Sequence, residues 1–210
     1  MKTVNIYVFP NDTGTTSEDK IRLCLSEYEK NVLKEELEKA PSLNKKYEVY
    51  KTELGKPYVD GEEIGVSVSH SDEYFVCAVG MLNMGVDIEH RKLLVRESKE
   101  EMQVRLNGIA KRFFHPTESK YVLGDPIDRF FKVWTAKDTL VKHTGEGIND
   151  NFSHYCVYSP VLEKEEGIRR WKAEEKYFWQ MTYCGDYELC LCSDEECAVS
   201  VINIMTKHLR

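Results

Sequence analysis

The sequence Met-Gly-Val-Asp-Ile-Glu at residues 84–89 constrains the fold most, because apolar and acidic side chains alternate along it. A longer apolar segment at residues 74–80 comes just before it, and residues 81–83 lie between the two. Both segments contain β-branched or aromatic residues, which favour strands. The pattern therefore predicts a β-hairpin whose turn lies at residues 81–83.

The acidic residues of this stretch are Asp87 and Glu89. Side chains alternate along a strand, so the two carboxylates share one face while Val86 and Ile88 point into the core. Two carboxylates at this spacing can bind a hard divalent cation such as Mg²⁺. A solvated strand face explains the same pattern, because Asp-x-Glu is short and common.

The overall composition limits the class of protein. Of 210 residues, 41% are hydrophobic and 31% charged, which is enough for one sizeable domain or for two small lobes that share an interface. The net charge of −7 argues against a nucleic-acid-binding protein, which needs a basic surface. We identify no secretory segment and no apolar run long enough to cross a bilayer, so we expect neither nucleic acid nor membrane as a partner.

Seven cysteines form no Cys-x-x-Cys pair, and no histidine stands at ligand spacing from them. A zinc or redox role remains the alternative for Cys190 and Cys192, which lie two residues apart. We expect free thiols in a reducing, cytoplasmic compartment.

Strand patterns dominate both ends of the chain, at residues 4–9 and 177–204, and helical patterns dominate residues 97–142. We therefore expect an α+β or mixed α/β fold. The charge-dense stretch at residues 163–176 is interpreted as a solvated loop or short helix.

Residues 129–142 show apolar side chains at helical spacing, which predicts a helix with one buried face. Asp138 and Lys142 are four residues apart and therefore lie on the same face of that helix. In an arbitrary helix such a pair is a surface ion pair. Gly145 and Gly147 mark the end of the helix.

A predicted strand at residues 64–70 ends in Ser69-His70-Ser71. Its hydroxyls and imidazole could face an anion, or could bond the backbone of the following loop. A Ser-His catalytic couple is disfavoured, because the chain has no Gly-x-Ser-x-Gly elbow and no clear third member. Lys56 lies in a Gly-Lys-Pro turn, where a lysine is usually an exposed turn residue.

In order and spacing, these motifs together resemble the 4'-phosphopantetheinyl transferase superfamily, of the surfactin-synthetase-activating type. The resemblance covers residues 55–147, and its most specific parts are Gly-Val-Asp-Ile-Glu at 85–89 and Trp-Thr-Ala-Lys-Asp at 134–138 followed by Lys142. The other matching parts are Gly55-Lys56-Pro57, residues 68–71, Arg112-Phe113-Phe114 with Glu118, and Gly145-x-Gly147.

The resemblance implies an α+β fold of two similar α/β lobes related by a pseudo-twofold axis, with the active site in the cleft between them. We assign residues 1–83 to the N-terminal lobe and residues 84–210 to the C-terminal lobe, which carries the metal and signature-helix motifs. Two lobes within one chain make a monomer sufficient.

The resemblance also implies an activity. Such enzymes transfer the 4'-phosphopantetheine group of coenzyme A to a serine of an apo acyl or peptidyl carrier protein, and they release 3',5'-adenosine bisphosphate. The resemblance implies Mg²⁺, with Mn²⁺ as the alternative ion, on Asp87, Glu89 and Asp138. The expected catalytic residues are Asp138, as the base, and Lys142, on the pyrophosphate.

The coenzyme A contacts implied by the resemblance include the catalytic lysine and six further residues. They are Lys56, Pro57, Ser69, His70, Asp87, Lys137 and Lys142. Basic residues of the first lobe that are candidates for the 3'-phosphate, although they match no motif, are Lys20, Arg22, Lys45 and Lys46.

Asp138 departs from the family pattern, in which a glutamate occupies this position. Its carboxylate lies about 1.5 Å further back, because the side chain is one methylene shorter. This departure supports an alternative function, a non-catalytic relative that binds coenzyme A or a carrier protein. A two-carboxylate metal hydrolase or nuclease is a third possibility, but it lacks a basic groove and leaves the Lys-Asp-x-x-x-Lys helix unexplained.

Overall fold

The computed structural model of this protein describes residues 1–11, 14–32, 47–59 and 63–204. Within these ranges the chain is α+β, as expected. The helices are α1 (Ser17–Val32), α2 (Lys99–Phe113), α3 (Pro116–Val122) and α4 (Pro126–Thr144). The strands are β1 (Thr3–Pro10), β2 (Val49–Lys51), β3 (Pro57–Val59), β4 (Gly65–Ser71), β5 (Tyr74–Gly80), β6 (Met84–His90), β7 (Arg169–Ala173), β8 (Lys176–Tyr183), β9 (Tyr187–Ser193) and β10 (Ala198–Asn203).

Two four-stranded sheets form the centre of the molecule. The first has the strand order β10-β1-β5-β4 and the second β6-β9-β8-β7, while β2 and β3 form a separate short ribbon. Apolar side chains of the two sheets, such as Ile6 and Ala78 from the first and Val86 and Leu191 from the second, pack face to face. The outer face of the first sheet packs against α1. The outer face of the second packs against α2, α3 and α4, which gives four layers.

The predicted hairpin of residues 74–89 is wrong. β5 pairs with β1 and β4, whereas β6 pairs with β9 in the other sheet. The segment at residues 81–83 therefore carries the chain from one sheet to the next. Leu82 and Met84 are buried between the sheets, which fixes this crossing. The alternation was interpreted correctly, since Val86 and Ile88 are fully buried and face the first sheet.

The expected loop or short helix at residues 163–176 is also wrong, because β7 occupies residues 169–173. Arg169 is fully buried and its guanidinium forms a 2.5 Å ion pair with Glu188, which is fully buried as well. A buried charge is tolerated only when it is paired and hydrogen-bonded. This charge-dense segment therefore contains an edge strand of the second sheet.

The last described strand lies apart from its sequence neighbours. We expect residues 84–210 to form the C-terminal lobe, yet β10 joins the first sheet by parallel pairing with β1, with Thr3 opposite Ala198 and Val8 opposite Asn203. It does not pair with β9. The partly buried side chains of Val199 and Val201 pack between the two sheets, which gives β10 its hydrophobic contacts there.

Helix α4 is the longest described helix and packs directly on the second sheet. It begins at Pro126, whose fixed φ angle suits the first turn of a helix. It ends at Gly145, which adopts the left-handed conformation (φ 77°) and donates its N–H to the carbonyl of Val141. Its buried face includes Val133, Ala136 and Leu140.

Candidate functional site

Gly85 brings β6 and α4 into direct contact. A Cβ atom at this position would lie 2.0 Å from the carbonyl oxygen of Thr139 and 2.6 Å from the amide nitrogen of His143. Both atoms belong to the backbone of α4, so no side-chain rotation could relieve the overlap. Glycine at residue 85 therefore lets the helix lie directly against the strand that carries Asp87.

This close packing brings together four of the predicted site residues. The ammonium of Lys142 lies 2.6 Å from Asp87 Oδ1, 2.9 Å from Asp138 Oδ2 and 2.9 Å from Ser69 Oγ. The Ser69 hydroxyl donates a 2.6 Å hydrogen bond to the same Oδ1 atom of Asp87. Three elements, β4, β6 and α4, thus meet at one charged cluster.

Glu89 lies one pleat further along β6, on the same face as Asp87. The indole N–H of Trp134 donates to Glu89 Oε1 at 3.2 Å, and the Ser71 hydroxyl lies 3.5 Å from Oε2. The indole belongs to α4 and the hydroxyl to β4. The Glu89 carboxylate is therefore held by the same two elements that hold Asp87.

Serine side chains connect the two sheets along this line. The hydroxyl of Ser67 accepts the backbone N–H of Val86 at 3.0 Å, and the hydroxyl of Ser71 accepts that of His90 at 3.1 Å. Ser69 lies between them and contacts Asp87. Ser67, Ser71 and Trp134 were not among the predicted site residues. The alternation of serine at residues 67, 69 and 71 was the available signal, because it places three hydroxyls on one strand face.

The charged cluster, with Glu89 beside it, contains three carboxylates and one lysine. This excess of acidic groups shifts the pKa values of its members. Burial raises the pKa of Asp87 well above its ordinary value; Lys142 opposes the shift, and the neighbouring carboxylates of Asp138 and Glu89 add to it. Burial likewise raises the pKa of Glu89. Burial alone would lower the pKa of Lys142, but Asp87 and Asp138 raise it above its usual value. An additional cation would relieve the repulsion among the three carboxylates.

One observation tests whether these residues fit a metal ion. Asp87 Oδ2 is buried and has no hydrogen-bond partner, which is a costly state for a carboxylate oxygen. Oxygen donors are those that Mg²⁺ and Mn²⁺ prefer, so the set of Asp87, Glu89 and Asp138 fits such an ion. Among the described residues, however, no group of three or more potential ligand side chains is already arranged around one point. The ammonium of Lys142 lies between Asp87 and Asp138 instead.

A cavity of about 250 Å³ opens beside the charged cluster. Its lining includes predicted coenzyme A contacts from both ends of the site, namely Lys56 and Pro57 on one side and Asp138 and Lys142 on the other. The ammonium of Lys56 donates to the carbonyl oxygen of His143 at 2.5 Å. Lys56 is thereby attached to the C-terminal end of the same helix that carries Asp138 and Lys142.

Ser69 and His70 do not share a strand face. Ser69 faces the second sheet and is buried, whereas His70 points to the opposite side of β4 and is exposed. A ligand that contacts both side chains must therefore pass around the edge of β4.

Lys137 is not brought to the site, contrary to its expected contact with coenzyme A. Its ammonium is fully buried, 3.0 Å from Glu118 Oε2, and also donates to the carbonyl of Tyr155. Glu118 accepts the backbone N–H groups of His115 and Val157 as well. Successive side chains of a helix point in different directions, so Lys137 stabilises the packing of α3 on α4 while Asp138 faces the cluster.

The candidate 3'-phosphate residues of the first lobe are placed differently from one another. Lys20 is buried, 3.4 Å from the carbonyl of Pro10 and above the ring of Phe75. Arg22 pairs with Glu18 on the outer surface of α1. Lys45 and Lys46 lie outside the described residues.

Strand β6 and helix α4 thus bring three carboxylates and a lysine together, and two of these residues, Asp138 and Lys142, line the cavity. This chain belongs to the 4'-phosphopantetheinyl transferase superfamily, whose profile matches residues 83–192, just over half of the chain. The matched part contains Asp87, Glu89, Asp138 and Lys142.

Individual relatives agree with this assignment. The chain is 31% identical over 140 residues to a 4'-phosphopantetheinyl transferase of Bacillus subtilis, covering 60% of this chain and 58% of that protein. It is 32% identical over 109 residues to 4'-phosphopantetheinyl transferase Sfp of Bacillus subtilis strain 168, covering 48% and 44%. It is 28% identical over 166 residues to 4'-phosphopantetheinyl transferase psf-1 of Bacillus pumilus, covering 75% and 66%. The matches thus span about half to two thirds of these relatives' lengths.

Two further observations concern the environment of the chain. Each of its cysteines is a free thiol in the structure, and Cys24, Cys77, Cys190, Cys192 and Cys197 are buried. None of the helices in the described ranges is both long enough and apolar enough to cross a membrane.

Proposed function

We propose that this chain transfers the 4'-phosphopantetheine group of coenzyme A to a serine hydroxyl of an apo acyl or peptidyl carrier protein, with release of 3',5'-adenosine bisphosphate. The observation that carries this proposal is the cluster of Asp87, Asp138 and Lys142 beside a cavity, in a chain of this superfamily. The relatives described above are named for the same transfer.

The reaction requires stabilisation of negative charge and removal of one proton. A neutral serine hydroxyl attacks the β-phosphoryl group, and a phosphate leaves, so charge spreads over the pyrophosphate oxygens. Lys142 is suited to neutralise this charge, because the adjacent carboxylates raise its pKa and keep it protonated. Its contacts with Ser69 and Asp87 fix the position of the ammonium.

Asp138 is the group that we propose as the base. It lies on the same helix face as Lys142, lines the cavity and is less buried than Asp87. A Mg²⁺ or Mn²⁺ ion held by Asp87, Glu89 and Asp138 would act as a Lewis acid on the pyrophosphate oxygens. The side chain of Asp138 is one methylene shorter than the family glutamate, so its carboxylate must accept the proton of the incoming hydroxyl from about 1.5 Å further back.

Coenzyme A is proposed to contact the cavity lining through Lys56 and Pro57, and the charged cluster through Lys142, Ser69 and Asp87. His70 is proposed to contact the 3'-phosphate from the opposite side of β4. Lys137 has no part in this proposal, because its ammonium is buried against Glu118.

We also propose the two-lobe arrangement, with residues 1–83 and 84–210 related by a pseudo-twofold axis. It is supported by the layers of the fold, since the first four-stranded sheet carries α1 on its outer face and the second carries α2, α3 and α4. β10 then belongs to the second lobe by sequence and to the first by pairing. We further propose that the protein is a monomer in the cytoplasm and that neither nucleic acid nor a membrane is its partner.

The test is incubation of the purified chain with coenzyme A, Mg²⁺ and an apo carrier protein, followed by intact-mass spectrometry of the carrier. A gain of about 340 Da, the mass of one phosphopantetheine group, is expected on the carrier serine. Asp87→Asn should abolish the gain, because it removes charge without changing side-chain volume. Asp186→Asn, in the exposed β8–β9 turn, is the matched control and should react like the wild type.

Asp138→Glu tests the role proposed for Asp138, and measurement of coenzyme A binding beside transfer separates the proposed function from its alternative. If Asp138 is a shortened form of the family acid, the variant should retain or exceed the wild-type rate. A large loss would show that the site is built around aspartate. Coenzyme A binding by calorimetry, with no mass gain on fatty-acid, polyketide or peptide-synthetase carriers for either protein, would instead establish a non-catalytic binding protein.

A further inference from the structure

Lys56 crosses from the β2–β3 turn to the C-terminal end of α4. Its aliphatic part passes Gly145, where a Cβ atom would lie 3.4 Å from Lys56 Cδ. Its ammonium donates to the His143 carbonyl at 2.5 Å and to the side-chain oxygen of Asn83 at 2.7 Å. An ammonium has three N–H donors. Within the part of the chain that the structure describes, two of them therefore have protein acceptors.

The side-chain amide of Asn83 has only one orientation that suits its neighbours. The Lys56 ammonium can only donate, so it requires the oxygen of the amide. The His143 carbonyl can only accept, and the amide nitrogen of Asn83 lies 3.2 Å from it. Asn83 thus bridges the lysine and the helix end, which a residue of similar size with only donors or only acceptors could not do.

The far side of this bridge is also fixed. The imidazole of His143 is buried, and its Nε2 atom lies 3.0 Å from Asp194 Oδ1, which is itself 2.6 Å from the ammonium of Lys176. Nδ1 of His143 is buried without a partner, so the tautomer with hydrogen on Nε2 leaves only an acceptor unpaired. The amide nitrogen of Asn83, 3.2 Å from the same Nε2 atom, then donates to the His143 carbonyl and not to the ring. Asp194 then accepts from His143, and the end of α4 is held to the ends of β8 and β9.

We infer that Asn83 is a positioning residue for coenzyme A: together with the His143 carbonyl it fixes the Lys56 ammonium so that its third N–H binds a phosphate group of the ligand in the adjoining cavity. Two facts support this. Lys56 lines the cavity that also contains Asp138 and Lys142. Its two protein acceptors are neutral, so its positive charge remains available for an anion. Only the identity of the ligand rests on the proposed function.

The alternative role for this group of contacts is purely structural, as a cap on α4. The carbonyls of the last helical turn lack partners within the helix, and lysine side chains often bond them. A cap would contribute to stability whatever occupies the cavity. The experiment must therefore ask whether Asn83 acts through Lys56.

The test is a double-mutant cycle on coenzyme A affinity, measured by isothermal titration calorimetry with Lys56→Gln, Asn83→Ala and the double variant. Lys56→Gln should weaken binding by about tenfold or more, because it removes a charge-assisted hydrogen bond to phosphate. Asn83→Ala should weaken binding by about three- to tenfold, because the ammonium loses its fixed position. The double variant should bind no more weakly than Lys56→Gln alone, since Asn83 would have nothing left to position.

Asn11→Ala is the matched control. Asn11 also donates from its side-chain amide to a backbone carbonyl, that of Asp72, and neither residue belongs to the cavity lining. It should leave coenzyme A affinity unchanged. Asn83→Asp keeps an acceptor for Lys56 but loses the donor to the His143 carbonyl and places a negative charge beside the ammonium, so it should bind coenzyme A no more tightly than Asn83→Ala. Thermal unfolding of every variant shows whether each is folded at the temperature of the titration.

The outcomes separate this inference from the proposed function. Losses that add in the double variant, or an Asn83→Ala affinity equal to that of the wild type, would overturn the inference while a carrier mass gain still supports the transferase. Coupled losses without any mass gain would support the inference and refute the transferase. A wild-type chain that binds no coenzyme A would refute both.

Discussion

Gly85 offers the sharpest test of how the site is built. In Gly85→Ala, the new Cβ atom would lie 2.0 Å from the Thr139 carbonyl oxygen and 2.6 Å from the His143 nitrogen. Carbon and oxygen atoms in contact are normally about 3.5 Å apart, so α4 would have to move away from β6 by roughly 1.5 Å. Both overlapping atoms belong to the backbone of α4, so rotation of a side chain cannot relieve the overlap.

The energetic cost follows from this geometry. Overpacking of a well-packed interior costs about 1–3 kcal/mol, and contact with backbone places this change at about 3 kcal/mol. For a chain of this size the melting temperature should fall by about 6–12 °C. The same movement would separate Asp138 and Lys142 from Asp87. A displacement of about 1 Å in a catalytic arrangement can lower turnover by about 100-fold.

Urea denaturation and the carrier mass assay measure the two effects separately. Gly108→Ala is the control, because Gly108 lies in α2 and a Cβ atom added there would enter open space. Removing a glycine from a helix interior should raise stability by about 0.5–1 kcal/mol and leave transfer unchanged. Replacement of glycine by alanine is thus expected to lower stability at residue 85 and to raise it at residue 108. If Gly85→Ala unfolded at the same urea concentration as the wild type, with normal transfer, the close approach of α4 to β6 would be refuted.

Two further changes test the buried charges. Lys137→Met should destabilise the fold by about 3–5 kcal/mol in urea denaturation, because it leaves the Glu118 carboxylate buried without its partner. Adding Glu118→Gln to this variant should restore part of the lost stability. An unchanged urea midpoint for Lys137→Met would contradict the pairing. Burial lowers the pKa of His143 below the ordinary histidine value of about 6.5. As pH falls, the imidazole of His143 is therefore protonated in the unfolded chain at a higher pH than in the folded chain. The contribution of His143 to the free energy of unfolding is complete above about pH 6.5 and declines as pH falls through the pKa of the folded chain. Denaturation across this range should show a smaller decline for His143→Gln than for the wild type.

The sequence was sufficient to predict the parts of the site that depend on a single element. Alternation along residues 84–89 fixes which side chains share a face, and Asp87 and Glu89 do share one. Helical spacing likewise predicted that Asp138 and Lys142 lie together, and their side chains are 2.9 Å apart. Both predictions use only the geometry of one strand or one helix.

The failures concern contacts between distant parts of the chain. Alternation cannot say which strand lies beside β6, and a connection at residues 81–83 suits a hairpin as well as a crossing between sheets. β7 was missed because its charges suggested solvent, whereas Arg169 is neutralised by Glu188, nineteen residues away in the sequence. Lys137 was misplaced for the opposite reason: its motif suggested a ligand contact, and its partner Glu118 lies on another helix.

The pairing of β10 with β1 has a consequence for how the protein is made. Residues 198–203 leave the ribosome long after β1 has emerged, and parallel pairing between distant segments forms slowly. Until then, one side of β1 is an unpaired strand edge, which can associate with other chains. A nascent chain therefore passes through a period of exposure to aggregation, and the time needed to synthesise and dock β10 sets the length of that period.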